Sequence, residues 1–186
     1  MPDPQHLTIS QEHRVIERVL AALETAAIRL RAGEPVDSGI FIQAAEFIKG
    51  FADGCHHKKE EGVLFPAMQA AGIPRDGGPI GVMLTEHQEG RQLTSAMRAA
   101  AEKLAAGDAG ASEQIVDNAL QYVALLRQHI AKEDNILFPM AEQVIAGPSQ
   151  TEVSDAFERI EHEETGEGVH DRFLALAESI EREVAG

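Results

Sequence analysis

Apolar residues recur at three- and four-residue intervals along almost the whole chain, the spacing of one face of a helix. Val15, Val19, Leu20, Leu23, Ala27 and Leu30 form the first such stripe. It predicts a helix from about Gln11 to Arg31, opened by Ser10 as N-cap and stopped by Gly33 and Pro35, after a flexible lead-in over residues 1–9. Asp37 or Ser38 caps a second helix through Ile40, Phe41, Ala44, Phe47, Ile48 and Phe51, ending near Ala71. Pro66 lies inside it, removes a backbone donor and crowds the carbonyl of Gly62, so a kink or weakening is expected there. The segment 72–79, GIPRDGGP, is a turn. A third helix follows from Ile80 to about Ala106 with Val82, Met83, Leu84, Leu93, Met97 and Leu104 on its apolar face. After Gly107 to Gly110, Ser112 caps a fourth, through Ile115, Val116, Leu120, Val123, Leu126 and Ile130 to about Ile145, closed by Gly147 and Pro148. A fifth helical segment runs from Thr151 to Val184 with a break at Gly166 and Gly168. Long helices with short links favour antiparallel neighbours. The expected fold is all-α: an up-down-up-down four-helix bundle over residues 10–146, with a C-terminal helical segment, 147–186, packed on it.

Superimposed on this pattern is an internal repeat. Residues 56–66 read HHKKEEGVLFP and residues 129–139 read HIAKEDNILFP, with six identities in eleven ungapped positions. Both copies keep a histidine and a glutamate four apart, His56/Glu60 and His129/Glu133. On a helix these share a face one turn apart, so each copy directs an imidazole and a carboxylate the same way. His13 precedes His56 by 43 residues and His87 precedes His129 by 42. Each half of the bundle thus supplies one histidine from its first helix and a His-x-x-x-Glu from its second. About a pseudo-two-fold axis these six side chains can converge. Four imidazoles with two carboxylates form a mixed nitrogen and oxygen set suited to iron, manganese or zinc, and two carboxylates able to bridge favour two ions over one.

Composition narrows the setting. The 186 residues carry a net charge of −15, which argues against nucleic acid or an anionic membrane as partner. There is no apolar run of membrane-spanning length and no N-terminal signal pattern. Cys55 is alone, so no intrachain disulfide can form and a cytoplasmic location is expected. Closed structural zinc sites favour thiolates, so a purely structural zinc bundle is the weaker reading.

His13, the two repeated motifs and the segment GPIGVMLTEH ending in His87 resemble the hemerythrin-like, or HHE cation-binding, domain over residues 10 to 146. The resemblance implies a four-helix bundle holding a non-haem di-iron centre, with His13, His56, Glu60, His87, His129 and Glu133 as metal ligands. It implies a protein that binds or reacts with oxygen, nitric oxide or peroxide, in oxidative or nitrosative stress or iron handling. An iron- or oxygen-sensing regulatory module without turnover would use the same ligands. Oxygen-carrying members place a second histidine one turn after the helix-3 histidine, where this chain has Arg91, and pair the helix-4 histidine with a carboxylate five residues on, which Asp134 could supply. The ligand set is more similar to that of iron-centre repair members, which carry an additional N-terminal segment with adjacent cysteines that this sequence does not show.

Several neighbours have two readings. His57 and Glu61 are also four apart, but Ile130 stands at the matching place in the second copy, so His57 is expected beside the site. Glu61 and Asp134 read as acceptors behind the ligands, or as carboxylates exchanged into contact with the metal. Leu64, Phe65, Leu137 and Phe138 read as core. Cys55 reads as a small buried hydrophobe, with redox sensing the sharper alternative. His162 and His170, in an acidic stretch, read as a solvated turn, or else as part of a lid over the bundle.

Overall fold

The computed structural model describes residues 4–161 and 168–186, and among these every regular element is helical. We number them α1 (Pro4–Arg31), α2 (39–70), α3 (Pro79–Ala105), α4 (112–144), α5 (Pro148–Arg159) and α6 (Val169–Ala185). Helix α1 neighbours α2, α2 neighbours α3, α3 neighbours α4 and α4 returns to α1, while α6 lies against α1 and α2. No helix among the described residues is long and apolar enough to cross a membrane.

Helix α1 begins well before the expected boundary. It starts at Pro4, and residue 10 lies inside it instead of capping it. Proline suits a first helical turn, where its missing N–H would be unbonded anyway. Ile9 is buried, so the apolar stripe reaches further toward the N-terminus than Val15 suggests. The entry to α2 is held by Asp37, whose Oδ1 accepts from the Gly39 N–H at 2.8 Å, while Ser38 makes no side-chain cap bond. Before α4, Asp108 caps a short 3₁₀ turn, Ala109–Ala111, and Ser112 is the first residue of the helix, not its N-cap. In α3 the buried face is Ile80, Met83, His87, Gly90, Thr94, Met97, Ala100 and Ala101. Val82, expected on that face, is 46% exposed.

The two repeats share a backbone feature that periodicity does not show. Each passes into a π-helical turn at its glutamate, Glu60–Leu64 and Glu133–Leu137, and returns to α-helix at Phe65 and Phe138. Pro66 and Pro139 follow immediately, inside the first turn of the resumed helix. The wide turn accommodates a proline ring that an α-helical turn would drive into the carbonyl four residues back. A second π segment, Ile48–His57, occurs only in α2. It contains Gly50 and Gly54, both weak helix formers.

Apolar side chains gather in two clusters. The larger joins α1 through α4 to α6 and includes Leu23, Phe41, Phe47, Phe51, Met97, Ile115 and Phe173. The smaller, at the other end, includes Ile9, Leu64, Phe65, Met68, Met83, Leu137, Phe138 and Phe157. Buried histidines and glutamates form the layer between them: His13 between Ile9 and Ile16 on α1, and Glu60 just ahead of Leu64 on α2.

The C-terminal segment is two helices, with Gly168 in left-handed geometry (φ 79°) at the start of α6. The expected break therefore includes Gly168, whereas Gly166 and His162 lie outside the described residues. Phe173 anchors α6 in a notch that only glycine at position 50 leaves open: a Cβ there would sit 1.9 Å from Phe173 Cζ. Gly50→Ala should lower stability. Overpacking a buried aromatic costs about 1–3 kcal/mol, against a helix-propensity gain of about 1 kcal/mol. Gly62→Ala should be neutral or stabilising, because the added methyl would meet nothing within 4 Å. Urea unfolding of both variants measures the contrast.

Candidate metal centre

His13, His56, His87, His129, Glu60 and Glu133, which come from four different helices, all lie in the buried layer at 2% exposure or less. They pair across the bundle as the sequence spacing anticipates. His13 Nε2 is 3.0 Å from His56 Nε2, and His87 Nε2 is 3.0 Å from His129 Nε2. Glu133 spans the two pairs, with Oε2 3.0 Å from His13 and Oε1 2.8 Å from His129. Glu60 spans them too, with Oε2 3.3 Å from His87 and Oε1 3.9 Å from His56.

The outward nitrogen of each imidazole is tied to a carboxylate. His13 Nδ1 donates to Asp134 Oδ1 (2.9 Å), His56 Nδ1 to Glu12 Oε2 (3.0 Å), His87 Nδ1 to Glu61 Oε1 (2.7 Å) and His129 Nδ1 to Glu86 Oε2 (2.8 Å). Because carboxylates only accept, these bonds fix the tautomer and leave Nε2 directed inward. Glu61 and Asp134 thus stand behind histidines, each on the opposite half's first helix. A lysine backs Glu12 and Glu86: Lys59 Nζ donates to Glu12 Oε1 at 2.7 Å, and Lys132 donates to Glu86. Phe65 and Phe138 stack on His87 and His13, with ring centroids 6.0 and 5.5 Å apart, forming apolar walls.

Glu12 and Glu86 do not emerge from the repeated motifs. A signal for them exists in the Glu-His dipeptides Glu12-His13 and Glu86-His87, which lie 47 and 46 residues ahead of the repeated lysines. Arg91 is engaged outside the centre, 2.6 Å from Glu61 Oε1 and 3.3 Å from Asp53 Oδ1.

His57, expected beside the site, lies against it. It is buried, and it is grouped with Glu60, His87 and His129 so that one ligand atom from each lies within 4.8 Å of the others. The other group of this kind among the described residues is His13, His56 and Glu133. His57 stacks on His87 with ring centroids 3.8 Å apart.

Electrostatics separate these groups. Burial alone would lower the imidazole pKa values, but the carboxylates prevail at four of them: His56 is pushed up to about 10, His87 to about 11, and His13 and His129 also rise. At His57 burial and three neighbouring imidazoles act together, and its pKa falls well below 6.5. Burial and the adjacent Glu133 raise Glu60, whereas three imidazoles outweigh burial and lower Glu133. Burial and Glu12 raise the buried Cys55 thiol to about 11, which favours the protonated thiol over the thiolate.

None of the four Glu60 and Glu133 oxygens accepts a well-directed hydrogen bond, though imidazole nitrogens lie close by. Buried carboxylates without acceptable partners are costly, and here all four oxygens face a core of inward-directed nitrogens. Hard oxygens and borderline nitrogens at this density fit a first-row transition metal.

The family model of the hemerythrin HHE cation binding domain matches residues 7–141. The chain belongs to this family. Uncharacterised proteins of Mycobacterium tuberculosis and Mycobacterium bovis are 28% identical to it over 174 residues, 94% of this chain and 68% of theirs. Iron-sulfur cluster repair protein YtfE of Edwardsiella ictaluri is 33% identical over 96 residues, 46% of this chain and 40% of that protein. YtfE of Musicola paradisiaca is 32% identical over 88 residues, with the same coverage. No solved structure matches.

The two lysine-paired glutamates, Glu12 and Glu86, sit in ion pairs of different burial. Lys59 is fully buried, whereas the Lys132 side chain is 35% exposed. Glu12→Gln should therefore destabilise the metal-free protein by about 3 kcal/mol, as expected when one member of a buried ion pair is removed. Glu86→Gln should cost no more than about 1 kcal/mol. Denaturant unfolding in chelator compares them.

Proposed function

We propose that this domain is a non-haem di-iron protein that reacts with a small oxidant, oxygen, nitric oxide or peroxide, in stress defence or iron handling. The proposal places it in a reducing cytoplasm and has α1–α4 run up-down-up-down. The topology draws support from the short links and from the closed ring of neighbouring helices. One observation carries the functional reading: Glu60 and Glu133 each direct one oxygen toward the His13/His56 pair and the other toward the His87/His129 pair. This is the disposition of bridging carboxylates. His13, His56, His87 and His129 are the proposed nitrogen ligands, and manganese or zinc can compete for the same set.

Iron bound by these residues would supply redox chemistry and exchangeable coordination positions for a small oxidant. The protein does the rest. Asp134, Glu12, Glu61 and Glu86 orient the imidazoles and raise their donor strength. Phe65 and Phe138 exclude bulk water, which restricts entry to small molecules. The partial likeness to YtfE, named for iron-sulfur cluster repair, supports iron and stress over oxygen transport. A regulatory reading has its own support. Glu12, which orients His56, shares Lys59 with Glu161 at 3.0 Å, at the C-terminal end of the described π turn after α5. The state of the centre is thereby linked to the C-terminal segment.

Glu60→Ala and Glu133→Ala should each greatly reduce bound iron per chain, while Glu61→Ala and Asp134→Ala should lower affinity by about 10–100-fold. Elemental analysis of the four variants checks the ranking. Mixing the iron(II)-loaded protein with oxygen and then sparging with argon tests the chemistry. Lasting oxidation in the optical spectrum is expected, and full recovery of the starting spectrum would return the protein to reversible oxygen carriage.

A further inference from the structure

Resting on the two-metal reading above, we propose that His57 is a fifth nitrogen ligand, which makes the two metal positions chemically unequal. His57 shares the wiring of the four other imidazoles. Its Nδ1 donates to a carboxylate, Asp53 Oδ1, at 2.9 Å, which leaves Nε2 as its ligating nitrogen. It is buried against His87 and groups with Glu60, His87 and His129, and not with His13, His56 and Glu133. One position therefore draws on three imidazoles and the other on two.

The backbone explains how two consecutive residues can serve one centre. In an α-helix neighbouring side chains diverge by about 100°, which would turn His57 away from the layer that holds His56. The π segment Ile48–His57 widens the turn and reduces that divergence, and both rings are buried. The second repeat has no equivalent segment before His129, and Ile130 is buried among apolar neighbours instead. The extra imidazole and the extra π segment thus occur together, on the same half.

Arg91 completes the arrangement as a positioning residue. Its guanidinium reaches both Asp53, behind His57, and Glu61, behind His87. It holds the carboxylates of two stacked imidazoles in one register while contributing no lone pair of its own. Arg91 and Asp53 also border a surface cleft of about 610 Å³ with Lys49 and Gly54.

The test uses cobalt(II) as a probe of the full chain. Proton spectra of the protein loaded with two equivalents should show five hyperfine-shifted, exchangeable imidazole N–H resonances. Four with two ions bound would overturn the assignment of His57 and leave the two-metal reading intact. Failure to bind two ions would overturn both. In His57→Ala, one of the two cobalt affinities should fall by about 10–100-fold with a change in the visible ligand-field bands, and free imidazole should restore the bands. Unchanged affinities and bands would overturn the proposal. The resonance count on the unmodified chain decides the matter even if the variant folds poorly.

Discussion

Two carboxylates buried at the centre of a helical protein impose the main constraint on this fold. Removing an ion from water costs several kcal/mol even after relaxation, and Glu60 and Glu133 are both fully buried. Imidazoles face them on the inside, and four further carboxylates stand behind those imidazoles. Such a layer is tolerable only if the helices hold it in register at both ends. The two apolar clusters above and below do so, and Phe65 and Phe138 bring the lower one into contact with the histidines themselves. The hydrophobic ends therefore serve to keep a charged middle assembled.

The charged middle is also the most legible part of the chain. His56/Glu60 and His129/Glu133 repeat with matched spacing, and His13 and His87 lie at matched distances before them, so convergence follows from helical geometry alone. Its supporting carboxylates are harder to read. A glutamate beside a histidine, such as Glu12 or Glu86, looks like an ordinary solvated charge until the bundle closes and places it behind a histidine of the neighbouring helix. The isoleucine in the second copy directs attention away from His57, an inference that assumes strict symmetry between the halves.

The fold shows the same division. Helix positions follow from periodicity, since an apolar stripe and its stops are local. Register within a helix does not. Pro66 and Pro139 announce a disturbance, yet its form, a widened turn beginning at the glutamate, depends on where the resumed helix must place Phe65 and Phe138. The Ile48–His57 segment is less visible still, because Gly50 is explained by a partner more than a hundred residues away, the ring of Phe173 on α6. Early capping residues mislead for a similar reason. Ser10 and Ser112 are good local caps, but buried Ile9 and the 3₁₀ turn before α4 shift the true starts.

Departures from two-fold symmetry gather on one side. The α2 half has the additional π segment, the second histidine, the Asp53–Arg91 pair and, through Lys59 and Glu161, the attachment to the C-terminal segment. The α4 half has a conventional helix up to Lys132, which is partly exposed where Lys59 is buried. A duplicated bundle with equivalent halves would present the same side chains on both sides and have no preferred side. Here α6 packs against α2 through Phe173 at Gly50, within the same π segment that ends at His57. The additional helix and the distorted segment of α2 that it covers thus meet at one residue, Gly50. Within the repeat itself the halves differ where that segment ends, His57 standing where the second copy has Ile130.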